Sequence, residues 1–119
     1  MTMAGKRILI VEDEPIVAMC LEDALEALGC VPVGPVSRLE DGLMLARSET
    51  LDAAILDINL GGERSYPIAE ALREREIPFV FASGYGAPDP AQGMGEPLME
   101  KPYSERDVRA ALERLLRRS

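Results

Sequence analysis

Short aliphatic runs alternate along the chain with longer segments in which apolar residues recur at helical spacing. The stretch Arg7 to Val11 is almost uninterrupted in its apolar character, which is typical of a strand buried on both faces. The following apolar positions share one face of a predicted helix: Val17, Leu21, Ala24, Leu25 and Leu28. Pro15 near the first turn and Gly29 just past the last turn mark both ends of that helix.

The same alternation of strand and helix continues to the end of the chain. We predict strands in 30–36, in 52–57 and in 78–83, and a short apolar strand in 97–99. The helices predicted between and after them begin with a capping box of Ser37 and Glu40, run from about Ile68 to Arg75, and start at Ser104. The Gly- and Pro-rich stretch 84–97 should hold only a short or frayed fourth helix. This order predicts a doubly wound α/β domain, with a five-stranded parallel sheet covered by helices on both faces.

Polar residues follow four of the five predicted strands. Glu12 and Asp13 follow the first, Asp57 ends the third, Ser83 follows the fourth and Lys101 the fifth. Each alone has an ordinary explanation as a helix cap, a turn residue, a loop hydroxyl or a surface charge. The carboxyl ends of parallel strands form one crevice where ligands bind, so together these residues predict a site there.

The charges of this predicted site do not cancel. Glu12, Asp13 and Asp57 are acidic, whereas Lys101 is the one basic residue among them. A divalent cation would balance the remainder, and Mg²⁺ suits a site built from carboxylates and water. A carboxylate nucleophile, a metal, a lysine and a hydroxyl are the groups needed to move a phosphoryl group onto Asp57.

Composition excludes several other classes of function. The chain has 13 basic and 21 acidic residues, a net charge of −8, which disfavours unaided binding to nucleic acid or to an anionic membrane. It has no histidine, so it cannot itself carry a phosphohistidine or use an imidazole base. No apolar run is long enough to span a membrane and no signal peptide is visible, so we expect a cytoplasmic protein. We expect Cys20 and Cys30 to be buried, reduced thiols.

The motifs at these positions resemble the receiver domain of two-component response regulators, over essentially all of residues 1–119. They are the acidic pair after "ILIV", Asp57 in "AILDINL", Ser83 in "FASG", and Lys101 with Pro102 in "EKPY". The resemblance implies the flavodoxin-like receiver fold with strand order 2-1-3-4-5, and a cis Lys101–Pro102 peptide bond.

The resemblance also implies a role for each site residue. Asp57 would accept a phosphoryl group from the phosphohistidine of a sensor histidine kinase, and Ser83 and Lys101 would bind the phosphoryl oxygens. Mg²⁺ would be held by Asp13, Asp57 and the backbone carbonyl of Asn59, with Glu12 acting largely through metal-bound water.

Two features differ from the common receiver pattern. Leu98 stands where receivers usually have an aromatic switch residue, and 84–97 is poor in helix-forming residues. Both features, with Phe81-Ala82-Ser83-Gly84, resemble a subgroup of receivers known by its Phe-Ala-Thr-Gly motif, whose members are often single-domain regulators.

The favoured function is a stand-alone response regulator that signals by protein contact or acts as a phosphate sink. Its expected partners are a sensor histidine kinase or a phosphotransfer protein and a downstream protein, without DNA or membrane binding and without enzymatic action on other substrates. One alternative is a degenerate receiver that binds a partner without being phosphorylated. Another is a metal-dependent phosphohydrolase, although Asn59 stands where such an enzyme needs a second acid.

Overall fold

The structure, a computed structural model, describes residues 3–83, 98–100 and 104–117, with backbone only for Ser83 and for 98–100. Its helices and strands follow in chain order: β1 Arg7–Val11, α1 Pro15–Ala27, β2 Val31–Val36, α2 Leu39–Ser48, β3 Ala53–Asp57, β4 Asn59–Leu60, β5 Glu63–Arg64, α3 Tyr66–Glu74, β6 Phe79–Ser83, β7 Leu98–Glu100 and α4 Glu105–Arg117. The predicted fourth helix falls in 84–97, outside the described residues.

Five strands form one parallel sheet in the order β2-β1-β3-β6-β7. Counted within this sheet alone, that order is 2-1-3-4-5, as the resemblance implied. The registers bring Val11 beside Leu56, and Asp57 beside Ala82. The carboxyl ends of the three central strands therefore lie next to one another, which confirms the predicted doubly wound architecture.

Alternate residues of the central strands face two separate hydrophobic clusters. In β1, Leu9 and Val11 belong to the cluster beneath α2 and α3, whereas Ile8 and Ile10 belong to the cluster beneath α1 and α4. Residues of β3 and β6 divide in the same way. Because successive strand side chains point to opposite faces, a run without polar residues is what a sheet covered on both sides requires.

The predicted capping box of α2 is wrong. Val36 pairs with Val11 and accepts the Glu12 N–H, so the chain stays extended beyond β2. Arg38 is consequently the N-cap of α2, without a side-chain cap, and Ser37 lies one position too early. A reciprocal box does occur at α4, where Ser104 Oγ accepts the Asp107 N–H at 3.3 Å and Asp107 Oδ2 accepts the Ser104 N–H at 2.8 Å.

The third helix begins two residues earlier than predicted. It starts at Tyr66 and contains Pro67 in its first turn, where the missing N–H of a proline costs no helical hydrogen bond. Within the described part of the chain, no helix combines the length and apolar character that crossing a membrane would require.

The two cysteines occupy different environments. Cys30 is buried as expected, whereas Cys20 is exposed on α1, so the prediction of burial is wrong for Cys20. Burial, and secondarily the charge of Asp52, raises the pKa of the Cys30 thiol. Both cysteines are free, and Cys30 is therefore a neutral packing group at physiological pH.

Candidate functional site

Four carboxylates meet at the carboxyl end of the central strands. Glu12, Asp13 and Glu14 follow β1, and Asp57 ends the neighbouring strand β3. One oxygen from each of the four lies within 4.8 Å of the corresponding oxygens of the others. Glu12 and Asp57 are only 2% and 5% exposed, so part of this negative charge is held away from bulk water.

Backbone amides orient three of these side chains. The Glu14 N–H donates to Glu12 Oε2 at 3.2 Å, and the Asn59 N–H donates to Asp57 Oδ1 at 3.3 Å. Asp13 Oδ2 accepts the Gly61 N–H at 3.0 Å. Hydrogen bonds from backbone N–H groups stabilise the charged form of a carboxylate, so they offset part of the repulsion within the cluster.

Glu14 is the member of the cluster that the sequence analysis did not assign to the site. It directly precedes Pro15 and is the N-cap residue of α1. Its side chain makes no capping hydrogen bond, and its carboxylate lies in the acidic cluster. Three consecutive acidic residues after a buried strand were the available signal, but the closeness of the third one to Asp57 depends on the pairing of β1 with β3.

A β-hairpin that the sequence analysis missed lies directly beside the cluster. Strands β4 and β5 pair Asn59 with Arg64 and Leu60 with Glu63, which leaves Gly61 and Gly62 as a two-residue loop. Two glycines between short polar-and-apolar strands are a recognised hairpin signal, so "NLGGER" could have been identified from sequence.

The other predicted site residues are described to different extents. Asn59 directly follows the site strand, and its side-chain Oδ1 accepts the Gly62 N–H at 3.0 Å. Ser83 ends β6, one residue beyond Ala82, which is paired with Asp57. The backbone thus brings Ser83 to the same edge of the sheet. Lys101 and Gly84, with the predicted cis Lys101–Pro102 bond, lie outside the described residues.

An open cavity of about 320 Å³ adjoins the acidic cluster. Glu12 and Asp13 are among its lining residues, and α1 and the end of β2 contribute Met19, Glu22 and Val36. The cavity therefore lies on the β1–α1 side of the cluster, and Asp57 is not among its lining residues.

The donor set fits a hard divalent cation. It consists of carboxylate oxygens, two of them on largely buried side chains, and the backbone of Asn59 adjoins it. Like charges this close repel, and a cation that prefers oxygen ligands relieves that repulsion. A cation held there would also lower the repulsion between these carboxylates and any incoming anionic group.

Comparison with known proteins agrees with this geometry. The family described as the response regulator receiver domain matches residues 8–113. The chain is a response regulator receiver domain. One solved structure of similar fold is the solution structure of SdrG from Sphingomonas melonis Fr1, which has a TM-score of 0.83 and 48% sequence identity, with coverage of 98% of this chain and 99% of that one. The BeF3-activated conformation of SdrG, described as from Pseudomonas melonis Fr1, has a TM-score of 0.78 and 49% identity over 95% and 98% of the two chains.

Two further matches extend the comparison of this receiver domain. The phyllosphere-induced regulator PhyR of Methylorubrum extorquens is 31% identical, over 92% of this chain and 43% of its own length. The receiver domain of the sensor histidine kinase PA1611 of Pseudomonas aeruginosa PAO1 has a magnesium ion coordinated in its active site cleft. Its TM-score is 0.83 at 22% identity, over 95% and 98% of the two chains, a likeness that shows the fold alone.

The receiver domain spans about half the length or less of the curated relatives it matches first, between 43% and 50%.

Proposed function

We propose that this receiver is a phosphoacceptor in two-component signalling, with Asp57 as the residue that is phosphorylated. The observation that carries the proposal is the burial of Asp57 at the end of β3 within 4.8 Å of three further carboxylates. A carboxylate oxygen of Asp57 attacks phosphorus, the bond from phosphorus to the donor breaks, and the donor leaves with its electron pair. When the donor is a phosphohistidine protonated on its other ring nitrogen, the departing group is a neutral imidazole.

The chain's own residues orient the nucleophile before the reaction. The Asn59 N–H fixes Asp57 Oδ1, and the Gly61 N–H fixes Asp13 Oδ2. Groups held in place beforehand need little reorganisation as charge develops in the transition state, which is the main protein contribution to phosphoryl transfer. Ser83 and Lys101 are proposed to bind the phosphoryl oxygens, as the resemblance implied.

The proposed metal is Mg²⁺, held by Asp13, Asp57 and the Asn59 backbone carbonyl, with Glu12 and Glu14 nearby. When bound, it supplies positive charge that neutralises the acidic cluster and the phosphoryl oxygens. Membership of the receiver family and the oxygen-rich donor set support this assignment, and the PA1611 receiver, which shares the fold, has a magnesium ion in its active site cleft.

The proposed partners are a sensor histidine kinase or phosphotransfer protein and a downstream protein target. Catalysis is proposed to be limited to the receiver's own phosphorylation and dephosphorylation. The side chain of Asn59 favours this over a phosphohydrolase, because its oxygen accepts the Gly62 N–H and closes the hairpin turn. An amide in that role does not supply the proton that a phosphohydrolase gives to its leaving group. The absence of DNA binding is proposed from the net charge of −8.

Incubation with acetyl phosphate and Mg²⁺, followed by intact-mass spectrometry, tests the proposal. We expect the wild type to gain one phosphoryl group, and Asp57→Asn to gain none because it lacks the nucleophile. Asp23→Asn is the matched control, since Asp23 is an exposed aspartate on α1. Equal uptake by wild type and Asp57→Asn would contradict the assignment, and a wild type that gains nothing from any acyl phosphate or kinase would favour the degenerate receiver.

A further inference from the structure

A two-residue glycine turn adjoins the acidic cluster. Gly61 and Gly62 connect β4 to β5 with φ angles of +60° and +98°. Positive φ at both loop residues is the geometry of the tight hairpin turn whose twist matches that of its strands. Residues with a side chain rarely adopt an angle such as that of Gly62.

Hydrogen bonds connect this turn to the acidic residues on two strands. The Gly61 N–H donates to Asp13, which follows β1, and the Asn59 N–H donates to Asp57, which ends β3. The Gly62 N–H closes the turn by donating to the Asn59 side chain. Leu60 is only 4% exposed and packs in the hydrophobic core, so the hairpin is anchored independently of the carboxylates it contacts.

Asp13 needs such an anchor more than Asp57 does. Asp57 is buried at the end of a central strand, whereas Asp13 is partly exposed in the connection between β1 and α1. A partly exposed side chain must lose rotamer freedom when it ligates a cation. A group that already holds the ligand in place raises the affinity for the metal by reducing that cost.

We propose that the Gly61–Gly62 turn is a positioning element that holds Asp13 for the cation. The turn presents the Gly61 N–H to one carboxylate oxygen and thereby sets the affinity of the cluster for Mg²⁺. This inference rests on the proposed function, because the cation concerned is the one needed for phosphorylation.

Glycine is required here for its backbone angle rather than for space. A Cβ built at Gly61 or at Gly62 meets no atom within 4 Å. Gly62→Ala therefore acts on the conformation of the turn without a steric clash. Gly5 provides a matched control, because it also has a positive φ, +78°, and open surroundings, but it lies ahead of β1 at the opposite end of the sheet.

Calorimetric titration with Mg²⁺ compares Gly62→Ala and Gly5→Ala with the wild type. We expect Gly62→Ala to raise the Kd for Mg²⁺ about tenfold, at the lower end of the cost of losing a group that orients a metal ligand. Gly5→Ala should leave the Kd unchanged although it strains the backbone to a similar extent. Thermal unfolding of both variants without metal confirms that they fold and compares their losses of stability.

Hydrogen exchange in the metal-free protein tests the contact itself. The Gly61 amide should exchange faster in Asp13→Ala than in the wild type, because its acceptor is gone. Glu22→Ala, which removes a carboxylate lining the adjoining cavity, should leave that exchange unchanged.

The two readouts separate failure of this inference from failure of the proposed function. Equal Kd values for Gly62→Ala and Gly5→Ala, or unchanged Gly61 exchange in Asp13→Ala, would overturn the positioning role. A wild type that binds no Mg²⁺ would overturn the proposed metal and, with it, the effect of the turn on affinity.

Discussion

Charged residues are arranged in opposite ways at the two ends of the central sheet. At the amino end, the Arg7 guanidinium donates to the Thr50 carbonyl and to Glu49 Oε1, each at 2.7 Å, and Asp52 Oδ2 accepts the Arg7 backbone N–H at 2.8 Å. At the carboxyl end, four carboxylates converge within 4.8 Å, and backbone amides orient three of them. The amino end is arranged for stability, whereas the carboxyl end keeps like charges together and is arranged for binding.

This contrast shows how crowded carboxylates lower the free energy of unfolding and how a bound cation restores it. Paired charges such as Arg7 and Glu49 contribute a little to folding on their own. Crowded carboxylates reduce stability until a cation joins them, so a ligand that binds only the folded state recovers the loss. The difference between the ends can be measured in several ways.

The largest expected effect is stabilisation by Mg²⁺ that depends on Asp13. At a free Mg²⁺ concentration about one hundred times its Kd, the wild type should gain about 2.7 kcal/mol in free energy of unfolding. Asp13→Ala should gain almost nothing, because it lacks a proposed ligand. Urea unfolding with and without Mg²⁺ measures both values. An equal gain in Asp13→Ala would place the cation elsewhere on the molecule.

Neutralising one aspartate at each end should change stability in opposite directions. Without Mg²⁺, Asp52→Asn should lose about 1 kcal/mol, since it weakens a charged hydrogen bond to the Arg7 backbone. Asp13→Asn should be as stable as the wild type or more stable, because it removes one repelling charge and keeps an acceptor for Gly61. Chemical unfolding in a chelating buffer gives both values. The contrast between the ends fails if Asp13→Asn is the more destabilised of the two.

Salt should have the smallest effect. Raising NaCl from about 0.1 M to about 1 M shortens the screening length from roughly 10 Å to roughly 3 Å, which is comparable with the separations of up to 4.8 Å within the cluster. We expect this to stabilise the metal-free wild type by about 0.5 kcal/mol more than it stabilises Asp13→Asn, a magnitude typical of partly exposed charge pairs. Comparing the two proteins removes the general effects of salt on folding. An identical response would mean that repulsion in the cluster is already fully offset.

Much of the fold could be predicted because its signals are local and strong. The apolar runs of β1 and β3 and the helical spacing in α1 identified their elements within a residue or two. The edge of the sheet that carries the site followed from topology, since parallel strands bring their carboxyl ends together. The carboxylates of Glu12, Asp13 and Asp57 are indeed brought together there.

The errors arose where tertiary contacts override a local pattern. The box of Ser37 and Glu40 fits the motif, but the pairing of β2 with β1 keeps the chain extended past Ser37. Glu14 is the N-cap residue of α1 and was not assigned to the site, but the pairing of β3 with β1 brings Asp57 close to its carboxylate. The contact of Gly61 with Asp13 joins residues 48 positions apart, so no local pattern indicates it.

A titration of the uniformly ¹⁵N-labelled wild type with Mg²⁺, followed by amide NMR, tests directly whether the cation binds at the carboxyl end of the sheet. We expect saturable shifts at Glu14, Asn59 and Gly61, whose amides donate to the three oriented carboxylates, and none at Arg7 of the opposite end. Shifts that do not saturate, or that appear equally at Arg7, would contradict the claim that the carboxyl end of the sheet is the cation site.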